Sequence, residues 1–146
     1  MIYLKYGFVK TAAATPKIRV ADCEYNANQI ISCVKEAYQN GASLLVFPEL
    51  CVTGYTCSDL FLQSTLLKAA EKAVLKIKNE TKHLDIVFAV GVPIAVNQSL
   101  YNCGVVICKG EILGAVPKVN IPNYSEFYEL RHFTSGKNIN TEISYA

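Results

Sequence analysis

The sequence carries little net charge and no long apolar run. Its 14 lysines and arginines stand against 12 aspartates and glutamates, a formal balance of +2. The lysines that do cluster, Lys68, Lys72, Lys76 and Lys78, alternate with apolar residues along a helix-like segment. That is the pattern of a solvated helix face, so no nucleic-acid partner is expected. No run approaches the roughly 18 apolar residues that a membrane-spanning helix needs, so no membrane partner is expected either. The opening MIYLKYGFVKTAAA superficially suggests a signal peptide, but Lys5 and Lys10 break the apolar core such a peptide requires. No two cysteines have C-x-x-C spacing, which leaves a zinc site unsupported, and no metal is expected. Neither a G-x-G-x-x-G nor a P-loop motif occurs, and there is no internal repeat, low-complexity segment or obvious linker.

What is present is an apolar-rich globular composition, 51% hydrophobic against 18% charged, in 146 residues. That is enough for one ordered domain. Cys23, Cys33, Cys51, Cys57, Cys103 and Cys108 make an even count. With an ample apolar core and no secretion signal they read as free thiols, and a cytoplasmic setting is expected.

Periodicity and turn residues divide the chain. Phe8 to Thr15 predicts a first strand, closed by Pro16. Asp22 caps a helix from Cys23, with Tyr25, Ala27, Ile30, Ile31, Val34 and Ala37 on one face and Asn40-Gly41 at its end. Leu44 to Phe47 is a short continuous apolar run, suited to a strand buried on both faces, and Pro48 ends it. Ser58 and Asp59 cap a short turn at Leu60 to Leu62. Ser64 to Lys82 predicts a second helix, with Leu66, Leu67, Ala70, Ala73, Val74 and Ile77 as its buried side. Ile86 to Val92 predicts a buried strand stopped by Pro93. Tyr101 to Cys108 and Glu111 to Val116 form a hairpin turning at Lys109-Gly110. The order β-α-β-α-β-β-β predicts an α/β sheet with helices packed on it. From Asn120 onward polar and aromatic residues mix without a period, and one side of so small a sheet lacks a cover. The expectation is the front part of a larger domain.

Two charged residues follow buried strands, each directly after a proline: Phe47-Pro48-Glu49 and Val116-Pro117-Lys118. Open α/β sheets bind ligands at the carboxyl ends of their strands. If the two strands are parallel neighbours, both side chains emerge at one rim. Apolar neighbours Phe47, Leu50 and Val52 would make Glu49 a competent general base near neutral pH. Lys118 would then stabilise a developing oxyanion. The plain alternative is a structural ion pair, or two unrelated surface charges.

These residues resemble the nitrilase (carbon–nitrogen hydrolase) superfamily. The likeness is carried by FPEL at 47–50, TGY at 53–55, GVP at 91–93, YN at 101–102, PK at 117–118 and PNYSEFYELRHFTSG at 122–136. With TPKIRVADCEYNANQI it narrows to the glutaminase domain at the front of glutamine-dependent NAD synthetases. The fold this implies is a nitrilase-type α/β arrangement, an αββα sandwich, of which residues 1–146 are the N-terminal part. The resemblance implies Glu49 as the base that takes a thiol proton and Lys118 as the cation facing the oxyanion. It implies Tyr124 as a contact of glutamine and a second glutamate after the lysine. Glu126 is favoured for that place over Glu129, with Arg131 available to pair with either. Tyr55 is placed in the glutamine pocket or on the ammonia path, or else is an ordinary buried tyrosine. Glutamine, a C-terminal synthetase domain of the same longer chain and a homo-oligomer are the partners implied. ATP and magnesium belong to that synthetase domain, with no cofactor in the present residues.

One departure stands out. The family's nucleophilic cysteine lies well beyond the lysine, whereas 28 residues follow Lys118 and none is a cysteine. Cys51 and Cys57 do not match the motif and read as packing thiols, as do Cys103 and Cys108 within β-rich runs. The residues by themselves are therefore expected to be inactive. Two rival readings stay open: a stand-alone nitrilase-type amidase or carbamoylase, and a non-enzymatic α/β binding domain.

Overall fold

The computed structural model describes residues 7–143. Its strands and α-helices follow in the order β1 (Thr11–Ala13), α1 (Cys23–Gln39), β2 (Leu44–Val46), α2 (Ser64–Glu80), β3 (Val87–Val96), β4 (Ser99–Cys108) and β5 (Glu111–Pro117). The predicted alternation and its final hairpin pair are thus in place. All five strands form one sheet in sequence order. β1, β2 and β3 are parallel, and β4 and β5 continue as an antiparallel meander. β2 and β5 therefore point the same way, so Pro48-Glu49 and Pro117-Lys118 leave the sheet at the same rim. They are not neighbours, however, because β3 and β4 lie between them.

The helices form where capping and periodicity put them. The Asp22 carboxylate accepts from Tyr25 N at 3.0 Å and satisfies one orphan donor of the first turn. Asn40 closes α1, and Gly41 follows at φ +77°. α2 ends two residues earlier than the sequence suggested. Thr81 caps it, with its N–H and its hydroxyl both on Ile77 O. α1 and α2 pack against each other on one side of the sheet. There Ile30, Val34, Val74 and Ile77 join Leu45, Phe88, Val90, Val105 and Ile107 in a single core. Each such buried side chain contributes about 1.5–3 kcal/mol.

Strand alternation then exposes the opposite face. Leu44 is 38% exposed, Val46 45% and Val116 66%. The expectation that Leu44 to Phe47 is buried on both faces is thereby corrected, because both helices cover the Leu45 side. Two further strands differ from expectation. β1 is only three residues long, since β2, its ladder partner, is itself three residues long. β3 runs straight through Pro93, which stands opposite Asn102. β2 has already ended at Ala89, and Asn102 O is turned to the other side, where it accepts from Lys118 N. A missing N–H at Pro93 therefore breaks no ladder bond.

After β2 the chain does not simply leave the sheet. It crosses over β3 at Gly91. A Cβ there would lie 2.2 Å from Leu50 N, 2.8 Å from Pro48 O and 2.9 Å from the Glu49 carbonyl carbon. Val52 N then donates to Gly91 O at 3.1 Å, and the buried Asn26 side chain donates to Val52 O at 3.0 Å. Leu50 sits at φ +52°, a conformation that non-glycine residues rarely adopt. The crossing carries Glu49 toward β4 and β5. Gly91→Ala should lower stability by about 3 kcal/mol or more, because backbone rather than a flexible side chain blocks the methyl. Gly104→Ala is the control, since a Cβ there meets nothing within 4 Å. Urea unfolding compares them, and equal midpoints for the two variants would show that the crossing is not fixed at Gly91.

Candidate active site

Glu49 arrives over β3 and Lys118 leaves the end of β5. Lys118 Nζ lies 2.7 Å from Glu49 Oε1. Asn102, buried on β4 between them, donates its side-chain amide to the same oxygen. A cleft of about 270 Å³ opens here, lined among others by Glu49, Gly91, Asn102 and Lys118. A larger hollow of about 700 Å³ adjoins β5 and segment 139–143. It includes neither Glu49 nor Lys118.

The far side of Lys118 is closed by a loop. The chain departs at Val119 and returns beside its start: Gly136 N donates to Lys118 O at 2.9 Å, and Ser135 Oγ to Val119 O at 2.6 Å. Such an excursion with adjoining ends is an Ω-type loop. Near its return it places Glu129 against Lys118, with Nζ 3.0 Å from Oε1 and 2.9 Å from Oε2. The Glu129 side chain is only 6% exposed. Tyr55 donates its hydroxyl to Glu129 Oε1 at 2.8 Å. A latch holds the loop to the 3₁₀ turn Ser58–Leu62. Arg131 donates from Nε and Nη2 to the two Asp59 oxygens at 2.8 and 3.0 Å. His132 Nε2 is 3.2 Å from the same carboxylate, and Phe61 meets Phe133 edge-on at 5.0 Å.

This geometry sorts the expected site residues. Glu49 and Lys118 meet. Tyr55 reaches them through Glu129. The glutamate on Lys118 is Glu129 and not the favoured Glu126, which is exposed and has no hydrogen bond or ion pair to Lys118 among the described residues. The short 3₁₀ turn Glu129–Arg131 holds Glu129 buried, whereas Glu126 is exposed at the mouth of a hollow it shares with Tyr55 and Glu129. Tyr124 is exposed as well, its ring against Phe127 at 5.6 Å. Arg131 pairs with Asp59, not with either glutamate, so the Asp59 side chain holds the loop and does not cap the short turn at Leu60 to Leu62. The apolar surroundings expected for Glu49 are there only in part, since of the three expected neighbours only Phe47 lines its cleft. Leu50 and Val52 turn into the core, while Glu49 meets an ammonium and an amide and keeps 41% of its side chain exposed. Asn102 and Gly91 are residues of the cleft that sequence reasoning passed over, and Glu129 is the one it placed second to Glu126. Their signals were YN at 101–102, SEFYE and GVP at 91–93.

Charge follows from these contacts. Partial burial pulls the Lys118 ammonium down, but the hydrogen bonds and charges of Glu49 and Glu129 outweigh it, and its pKa is raised overall. Burial and the Glu129 contact push the Tyr55 phenol up, which keeps it a donor. The thiols behave otherwise. Burial pushes Cys51 up to about 11 and Cys103 up to about 12. Cys103 is next to Asn102 on β4, so alternation turns it to the helix side, opposite Val92. All six cysteines are free, and none of the described hydrogen bonds joins a thiol to Glu49 or Lys118.

Two carboxylates and the ammonium between them at a strand rim can be set beside known proteins. The carbon–nitrogen hydrolase family profile matches residues 10–144. The chain belongs to that family. Its curated relatives include the glutamine-dependent NAD(+) synthetase of Mycobacterium bovis, 40% identical over 132 residues, which are 90% of this chain and 19% of that protein. The chain thus spans about a fifth of the length of the relatives it matches. A solved glutamine-dependent NAD(+) synthetase from Cytophaga hutchinsonii superposes with a TM-score of 0.86 at 29% identity, over 92% of this chain and 23% of that one. An amidase variant from Nesterenkonia sp. AN1, with the acetamide moiety of fluoroacetamide on its active-site cysteine, superposes with a TM-score of 0.73 at 22% identity. It covers 89% of this chain and 49% of that one. The fold is therefore that of the carbon–nitrogen hydrolases, and the described residues supply one helix layer on one sheet.

Two outcomes are expected of the site's electrostatics. Lys118→Met leaves the buried Glu129 carboxylate without its cation and should cost about 2–4 kcal/mol in urea unfolding. A midpoint unchanged from wild type would remove Lys118 from the loop's support. The Asp59 carboxyl is held down to about 2 by Arg131 first and His132 second. Its contribution is therefore present above the ordinary carboxylate range and lost as pH falls toward 2. Asp59→Asn should mimic that loss at neutral pH, making residues 120–133 the first site of limited proteolysis. Unchanged cleavage would mean the latch does not hold the loop.

Proposed function

We propose that this chain is the base-and-cation part of a glutamine amidohydrolase centre in a glutamine-dependent NAD synthetase, a ligase fed with ammonia by its own glutaminase. The observation that carries this reading is the Lys118 ammonium bridging Glu49 at 2.7 Å and Glu129 at 2.9 Å at the rim of the sheet. A thiol supplied by the longer protein gives its proton to Glu49, and the thiolate attacks the side-chain amide carbon of glutamine. Lys118 faces the oxyanion that forms. The carbon–nitrogen bond breaks, ammonia departs with the proton from Glu49, and a glutamyl thioester remains. Water then gives a proton to Glu49, attacks the thioester and releases glutamate as the thiol is restored. Tyr55 and Glu129 keep Lys118 in place, and Tyr124 and Glu126 extend toward the substrate from the loop.

The other partners follow from the same reading. They are a C-terminal synthetase domain using ATP and magnesium to amidate nicotinic acid adenine dinucleotide, and a homo-oligomer. A cytoplasmic setting agrees with six unpaired thiols, and among the described residues no helix is long and apolar enough to cross a membrane. The likeness to an amidase favours a second reading, a hydrolase acting alone on small amides. The two readings separate in one experiment on the full-length protein. Glu49→Gln or Lys118→Ala should abolish glutamine-driven amidation, a loss of at least about 100-fold, and spare amidation driven by free ammonia. Equal loss of both activities would count against the assigned roles. Amide hydrolysis without any ammonia-driven synthesis would favour the stand-alone hydrolase.

A further inference from the structure

We infer that Asn102 is a positioning residue that makes Glu49 a one-sided base: its side-chain amide and the Lys118 ammonium together occupy Oε1 and leave Oε2 to receive the proton. This rests on the amidohydrolase reading above and concerns a residue that reading leaves without a role. Asn102 is 3% exposed, a polar side chain inside an otherwise apolar strand stretch. Burying an amide costs free energy unless it is bonded, and here the amide is spent on Glu49 Oε1. Its own main-chain oxygen accepts Lys118 N at 2.7 Å. One residue of β4 thus holds the base by its side chain and the cation by its backbone. Pro93 opposite Asn102 makes no claim on that oxygen.

The chemical consequence lies in the asymmetry of the carboxylate. Oε1 has two donors, and among the described residues none is directed at Oε2. An oxygen already holding two donors is a poor proton acceptor, so the transfer falls to Oε2. The charged and titratable groups facing this carboxylate are Lys118, from the end of β5, and, beyond it, Glu129 and Tyr55. Without the Asn102 donor the carboxylate is free to turn about its side chain and present either oxygen to Lys118.

The test follows the kcat and KM of glutamine hydrolysis in the full-length protein, with ammonia-driven synthesis as the control for folding. For Asn102→Leu, kcat should fall about 10- to 100-fold while KM moves less than about threefold. A kcat left in place overturns the assignment, as does a raised KM at unchanged kcat. Should Asn102→Leu lose both activities together, Asn102→Asp replaces it: the shape is kept, the donor is gone and a second carboxylate is added. Its kcat for glutamine hydrolysis should fall by at least about 10-fold with KM within about threefold, and a kcat left in place overturns the assignment. If the unsubstituted protein hydrolyses no glutamine or other amide, the amidohydrolase reading itself has failed and the assignment falls with it. That result is distinct from a working hydrolase indifferent to Asn102.

Discussion

An ammonium between two carboxylates is the interaction around which these residues are arranged. Lys118 is reached by Glu49 from one side and Glu129 from the other, and neither approach is short. Glu49 leaves β2, three strand positions away from β5 and so roughly 14 Å across the sheet. Glu129 leaves the Lys118 end itself but returns only after a loop. The first gap is closed by a chain crossing that tolerates no side chain at Gly91. The second is closed by an Ω-type loop pinned at Gly136 and latched at Asp59. A left-handed Leu50 and a buried Asn26 hold the crossing. The strain sits next to the candidate base, where an over-determined backbone fixes the direction of the carboxylate.

The same arrangement puts the cleft on the face of the sheet that α1 and α2 leave open. On the helix side, side chains interlock and thiols are held protonated by burial. On the open side, Glu49 and Lys118 share their cleft with Phe47 and Val116, and Leu44, Val46 and Val116 are apolar residues that solvent still reaches. Coulomb interactions strengthen as water is excluded. Any structure that covers this face would therefore sharpen the charge stabilisation that the triad can deliver.

Much of the fold was legible in the residues. The α1 face from Ala27 to Val34, the Asp22 cap, the Asn40-Gly41 stop and the Lys109-Gly110 turn are local, set by side-chain period and by which residues tolerate φ > 0. The turn's two residues stand at φ +48° and +77°, as a two-residue hairpin of its type requires. Local signals failed where a partner strand decided the outcome. Pro93 reads as a strand breaker until β2 is seen to end before it. Leu44 to Phe47 reads as doubly buried until both helices are found on one side. Glu126 and Glu129, three positions apart in SEFYE, look alike in one dimension. The inward 3₁₀ turn separates them, and Tyr55, 74 positions upstream, marks which one is buried.

By itself the sequence determined the order of elements, the caps and turns, and the two proline-preceded charges at strand ends, because each depends on neighbours within a few positions. Tertiary structure alone decided that those charges touch, that Glu129 joins them, and that Asn102 lies under one oxygen of Glu49. Those contacts join residues 11, 53, 69 and 74 positions apart. No local pattern encodes such distances. They arise only when the chain crosses at Gly91 and the sheet brings β2, β4 and β5 to a common rim.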